Sequence, residues 1–174
     1  MKKTSVSLFR QKKLLLPLLS IAIVMSINFL IFILPQPLAT QLHETAEGQY
    51  LSVSLTPHIT VALDERSAIT VTNSEPPSVE LIKGNVYFDN KNAVADTQHL
   101  TVTVGDVRFL DRGANFSVES LRNGGSIAIS DGQVEMSIGG QSRSVSAGQR
   151  IDFDKNAVIE ESSVVGMDIA PWRR

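Results

Sequence analysis

The chain has 174 residues, no cysteine, and 16 Lys plus Arg against 18 Asp plus Glu, for a net charge of −2. Without cysteine there is no disulfide, no thiolate metal site and no thiol nucleophile. Five of the bases (Lys2, Lys3, Arg10, Lys12 and Lys13) precede residue 35 and no acid does, so residues 35–174 carry 11 − 18 = −7, a balance that suits neither nucleic acid nor anionic lipid surfaces and removes nucleic acid as a partner.

The basic arm, residues 1–13, runs into Leu14–Leu34, 21 residues without a charge. As a helix this stretch covers about 31 Å, the thickness of a bilayer's hydrocarbon core, and it is read as a transmembrane helix over residues 14–34. After it no Lys or Arg occurs until Arg66, so the N-terminus is expected to stay cytoplasmic with the bulk of the chain on the far side. The competing reading is a cleaved signal peptide, but the stretch exceeds the usual apolar region of about 7–15 residues, and Pro37 before Ala39 fits a small-x-small cut poorly. Asn28 is the strongly polar residue of the span, and Ala22 with Ser26 forms a small-xxx-small pair, so Asn28 is a candidate contact for a second membrane helix. Single polar residues are also tolerated in isolated spans.

Pro35 and Pro37 stop the helix, and residues 35–49 read as a linker of small and polar residues. From Tyr50 the period changes to two. Ile59, Val61 and Leu63 alternate with polar or small neighbours, as do Leu100, Val102 and Val104, and Ile127 with Ile129. Short alternating runs rich in β-branched residues mark strands with one face buried. Turn signals such as Asp89-Asn90, Asn123-Gly124-Gly125 and Gly139-Gly140 separate them, so ten or more short strands are expected. Residues 50–156 are assigned to one all-β domain, and 157–174 to a tail consisting of a strand and an extended end. The fold class expected is mainly β, a single N-terminal transmembrane helix followed by a two-layered sandwich or a short β-solenoid-like wrap.

Two segments match at an offset of 48 residues, Val79–Phe88 (VELIKGNVYF) and Ile127–Met136 (IAISDGQVEM). In both, Gly84 and Gly132 stand between two strands, where glycine supplies a positive φ or a tight corner that a Cβ resists. With two copies, a shared corner and a coincidence of β patterning both remain open.

Chemistry-bearing residues do not converge. His43, His58 and His99 have neither HxH nor HxxxH spacing, His43 falls in the linker, and the other two occupy strand positions where solvent exposure is expected. The carboxylate pairs Asp152 with Asp154, Glu160 with Glu161, and Asp64 with Glu65 read as solvated strand faces or turns. The sequon Asn115-Phe116-Ser117 reads as a strand, and nothing resembles a nucleophile elbow, a phosphate loop or a dinucleotide fingerprint. No enzyme, cofactor or metal is assigned.

The ordered strands resemble the FecR-like periplasmic domain. The resemblance rests on Thr45–Leu55 (TAEGQYLSVSL), Ile59–Val71 (ITVALDERSAITV), Val79–Asp89 (VELIKGNVYFD), Arg112–Val118 (RGANFSV), Ile129–Ser137 (ISDGQVEMS) and Ser144–Phe153 (SVSAGQRIDF), spanning residues 45–154. Gly113 and Gly148 lie in two of these segments and join Gly84 and Gly132 as structural glycines. The resemblance implies a single-pass protein of the bacterial inner membrane, with a periplasmic domain that senses a TonB-dependent receptor or another signalling protein. It also implies control of an extracytoplasmic-function sigma factor. Three departures accompany it. The cytoplasmic arm of 13 residues lacks the family's anti-sigma domain, the chain stops at Trp172-Arg173-Arg174, and Arg112 and Ala114 flank Gly113 where relatives carry an aliphatic residue and Thr. The expectation is a sensor or regulatory module working by protein contact, the alternative being an envelope scaffold or lipid-transport bridge with one span.

Overall fold

Because successive side chains on a strand point to opposite faces, the alternating sequence builds strand after strand in the computed structural model, which describes residues 38–90, 99–166 and 169–173. The strands are β1 (Thr40–Glu44), β2 (Leu51–Ser54), β3 (Thr60–Leu63), β4 (Ala68–Thr72), β5 (Ser78–Asp89), β6 (Leu100–Val104) and β7 (Val107–Asp111). They continue as β8 (Asn115–Leu121), β9 (Gly124–Asp131), β10 (Gln133–Ile138), β11 (Gln141–Ser146), β12 (Gln149–Asp154) and β13 (Val158–Ser163). The arm 1–13, the span 14–34 and Asn28 lie outside the described residues. Among the described residues no helix is long and apolar enough to cross a membrane.

The pairing makes two layers. One runs β1-β4-β5-β6-β7-β10-β11. The other runs β2-β3-β5-β8-β9-β12-β13. Strand β5 serves both: Ser78 to Lys83 pairs within the first layer, and Gly84 to Asp89 within the second. All neighbours are antiparallel except β5 and β6, which are parallel.

Between the layers lies one apolar core. Val61, Leu63, Ile69, Val79, Leu100, Val102, Ile127, Ile129 and Val134 are each 0% exposed. Phe109 on β7 meets Phe153 on β12 across the layers at 5.6 Å between ring centroids, and Phe88 stacks on Phe116 at 4.8 Å. Each such side chain contributes roughly 1.5–3 kcal/mol on burial, which is what holds two otherwise polar sheets together.

The chain alternates between layers, and each crossing within the described residues turns on a residue of positive φ: Gly48, Arg66, Gly84, Gly113, Gly132 and Gly148. The crossing from β5 to β6 passes through residues 91–98, outside the described residues. At Gly84 (φ 84°) the chain leaves the first layer for the second, and at Gly132 (φ 80°) it returns. In both places the inward-facing side chains on either side of the corner, Leu81 with Val86 and Ile129 with Val134, are five positions apart. Simple alternation would put such residues on opposite faces; the left-handed corner restores them to the same core.

Two boundaries differ from expectation. Residues 40–44, expected within the linker, form β1, which pairs with β4 and joins Glu44 to Lys83 at 2.6 Å. Its sequence, TQLHE, has a single large apolar residue, so backbone pairing rather than a hydrophobic stripe makes the strand. In the tail, β13 pairs with β12 beyond residue 156, and the last described residues end in a 3-10 turn at Pro171–Arg173.

Candidate interaction surface

The four structural glycines lie at layer crossings, and the crossings touch one another through polar groups. The Ser67 N–H donates to Thr45 Oγ1 at 2.9 Å, and the Asn85 N–H donates to Ser67 Oγ at 3.0 Å, so the crossings at 45–49, 64–67 and 84–85 are laced together. At the next seam the Ala147 N–H donates to the Gly132 carbonyl at 3.0 Å, and the Gly148 N–H to the Ile129 carbonyl at 2.9 Å. Gly113 sits in the turn that carries the chain from β7 to β8.

That turn is organised by Asp111, a carboxylate 0% exposed. Its Oδ1 accepts the backbone N–H groups of Gly113 at 2.9 Å and Ala114 at 2.7 Å, and its Oδ2 accepts from Asn90 Nδ2 at 2.6 Å. Burial pushes the Asp111 carboxyl above the usual carboxylate range, opposed by these hydrogen bonds. The Asn90 N–H donates to Asn115 Oδ1 at 3.1 Å, which ties the end of β5 to the start of β8. In the sequence Asp111 reads as one more charge in LDRGAN, and nothing there signals that it is the buried one.

The carboxylate pairs do not converge on a site. Asp154 Oδ1 accepts from the Asn156 and Ala157 N–H groups at 2.7 and 2.8 Å, which lowers its pKa. Asp152 pairs with Arg150 at 3.1 Å, and Glu161 with Arg143 at 2.7 Å. Asp64 Oδ1 accepts the Glu65 N–H at 2.7 Å, and burial raises its pKa against that bond. Among the described residues no three His, Asp or Glu side chains are placed to hold a metal ion. His58 is exposed in the β2–β3 turn, but His99 is half-buried just before β6, contrary to the exposure expected, and its buried Nδ1 meets no partner among the described residues. His99 lies in a groove beside Leu55, Ile59 and residues 73–77, which cover part of the ring.

The outer face of the second layer carries a feature absent from the sequence reading. Residues 169–173 lie across it, and Ile169 and Ala170 pack with Tyr87, Ala128, Ala62 and Trp172 in an apolar cluster separate from the core. Trp172 stacks on Tyr50 at 6.2 Å between centroids, and the Arg173 guanidinium lies 3.8 Å from the centre of the Tyr87 ring and 3.8 Å from Asp89. Small outward residues, Ala62 and Ala128, leave room for this segment. The signal was the lone tryptophan of the chain, placed in a tail that otherwise reads as solvated. Beside the segment an open groove on β2 and β3 is lined by Tyr50, Ser52, Thr60, Ala62, Tyr87 and Trp172.

The family model described as FecR protein matches residues 41–135, from β1 into β10. No curated protein matches. Two crystal structures of a candidate anti-sigma factor from Parabacteroides distasonis ATCC 8503, at 2.50 and 1.65 Å resolution, are similar in fold, with TM-scores of 0.67 and identities of 13% and 14%. The alignments cover 78% and 76% of this chain but 65% and 64% of those proteins, so the chain spans less than two thirds of their length.

Proposed function

This chain belongs to the FecR protein family, and we propose that it is a membrane-anchored regulatory or sensor module that acts by protein contact in transmembrane signalling. The observation that carries the reading is the family match across residues 41–135, which takes in the laced crossings at 45–49, 64–67 and 84–85 and the corner at Gly132. In this reading residues 14–34 anchor the chain in the bacterial inner membrane with the N-terminus cytoplasmic, and the domain that begins at β1 works in the periplasm. Its partners are proteins of the periplasm or inner membrane, a TonB-dependent receptor or another signalling protein among them, and its output is regulation of an extracytoplasmic-function sigma factor. Asn28 is the membrane contact through which the short arm joins that output.

The alternative, an envelope scaffold or lipid-transport bridge, calls for an apolar groove open along the inner faces of the sheets. Here that space is filled by Phe88, Phe109, Phe116, Phe153 and Met136, each no more than 2% exposed, which favours the regulator.

Transcript profiles of host cells with and without the chain test the choice. Regulation predicts a changed set of transcripts that includes a TonB-dependent receptor gene. Unchanged transcripts with an altered envelope lipid composition would establish the bridge instead.

A further inference from the structure

Each layer ends in two edge strands, and the four edges are not alike. An edge strand presents unpaired backbone groups, and proteins blunt it with charge, proline or bulges. Strand β1 carries Glu44, bound to Lys83. Strand β11 carries Arg143, which reaches across to Glu161 on β13 at 2.7 Å. Strand β13 carries Glu160 and Glu161, and its register with β12 shifts at Asp152/Phe153. Strand β2, Leu51–Ser54, has none of these: its sequence is LSVS, its register with β3 is unbroken, and nothing else pairs with it among the described residues.

The register shows which groups it offers. The Leu55 N–H donates to the Ile59 carbonyl at 2.9 Å. In an antiparallel ladder, residues two apart repeat the same orientation, so Val53 opposite Val61 and Leu51 opposite Leu63 direct their backbone groups at β3. Ser52 and Ser54 therefore turn N–H and C=O away from the sheet. The core is also incompletely covered here. Leu51 and Val53 are half-buried, whereas Val61 and Leu63 beside them are 0% exposed.

We propose that β2 is the docking edge of this domain, taking an extended strand from a partner protein that is apolar at alternate positions and flanked by bases. This rests on the protein-contact reading above and names its site. Main-chain bonds to Ser52 and Ser54 supply the pairing. The partner's inward residues complete the cover over Leu51 and Val53, and its outward residues lie beside the groove of Tyr50 and Trp172. Charge favours a basic partner: residues 35–174 carry a net −7, and although Glu44 and Glu47 are paired with Lys83 and Arg66, Asp64 and Glu65 follow directly on the end of β3 that faces Leu51.

The probe is a synthetic peptide of alternating Thr and Val with a Lys pair at each end, added to the full chain in detergent and followed by amide hydrogen exchange. The amides of Ser52 and Ser54 slow by about tenfold or more on binding, because each becomes hydrogen-bonded. A peptide with Glu pairs in place of Lys binds more weakly. Ser54→Pro removes one outward donor at an edge where proline is tolerated; it abolishes the effect while the melting temperature holds. Should that variant unfold, protection of the two amides in the unsubstituted chain decides alone. Protection at a different edge, no binding, or amides already protected because two copies pair through β2 would each overturn the proposal. Such a failure with the transcript response intact would leave the regulatory reading standing, and the converse result would remove that reading while keeping the edge.

Discussion

Ser67 sits directly against Gly84: a Cβ built on Gly84 would come 2.6 Å from the Ser67 Cα, closer than carbon atoms approach in folded proteins. The backbone of one layer crossing thus rests on the backbone of the next, with the Ser67 hydroxyl bonded to Asn85 between them.

Gly84→Val combines this contact with a φ of 84° and is expected to destabilise the domain by about 3 kcal/mol or more. Gly132→Val, at φ 80° and 2.9 Å from the Ala114 Cα, is expected to cost about 2–3 kcal/mol. Gly140→Ala, also left-handed but with open space around it, should cost only about 1 kcal/mol. Denaturant titrations of the three variants check the order.

Asp111 makes stability depend on pH in an uncommon direction. Its folded pKa is raised by burial, so the folded state holds the proton more tightly than the unfolded state does. The Asp111 contribution therefore grows as pH falls from neutral through the raised pKa, and is complete below the unfolded value of about 3.9. Asp111→Asn removes this component, so subtracting its pH profile from that of the unsubstituted chain isolates it. Asp111→Ala leaves Asn90 Nδ2 and the N–H groups of Gly113 and Ala114 without their acceptor and should cost about 3 kcal/mol. A difference profile that falls on acidification would contradict the assignment.

Trp172 is the single tryptophan, so its emission reports on one contact. Tyr50→Ala removes the stacked ring and should shift that emission to the red, with a loss of about 1 kcal/mol in stability. Arg173→Ala takes the cation from Tyr87 and should cost about 0.5–1 kcal/mol. Emission unchanged in both variants would show that residues 169–173 do not rest on this face in solution.

For topology, the five bases ahead of Leu14–Leu34 predict a C-terminal domain outside the cytoplasm. An alkaline phosphatase fused after residue 174 should be active, and a reporter that fluoresces only in the cytoplasm should be dark. The reverse pair of results overturns the orientation.

The strands that alternate cleanly, β3 and β6, were legible because burial of one face writes itself into every second residue. Strand β1 was hidden because a short edge strand held by backbone bonds needs no apolar stripe. The corners at Gly84 and Gly132 could be read because glycine is the residue that takes a left-handed φ without strain, whereas Arg66 does the same at φ 55° with nothing in its sequence to mark it. The alternation between layers depends on which distant strand each hairpin meets, and no local pattern encodes that. Asp111 escaped notice for a related reason: its acceptors are satisfied by a turn and by Asn90, 21 positions earlier. The edge character of β2 likewise follows from the neighbours it lacks.

The stack of Trp172 on Tyr50 has a mechanical meaning. It returns the final described residues to the entry of β2, an edge strand of the second layer, so that edge and the last described turn meet at one pair of rings. Residues 169–173 are held on this face by that stack, by the Arg173 contact with Tyr87 and by a small apolar cluster, so they can lift away without breaking a hydrogen bond of either sheet. The segment would peel from its end, ring by ring, while the laced layers beneath stay closed, which makes it the first part of the described structure to open.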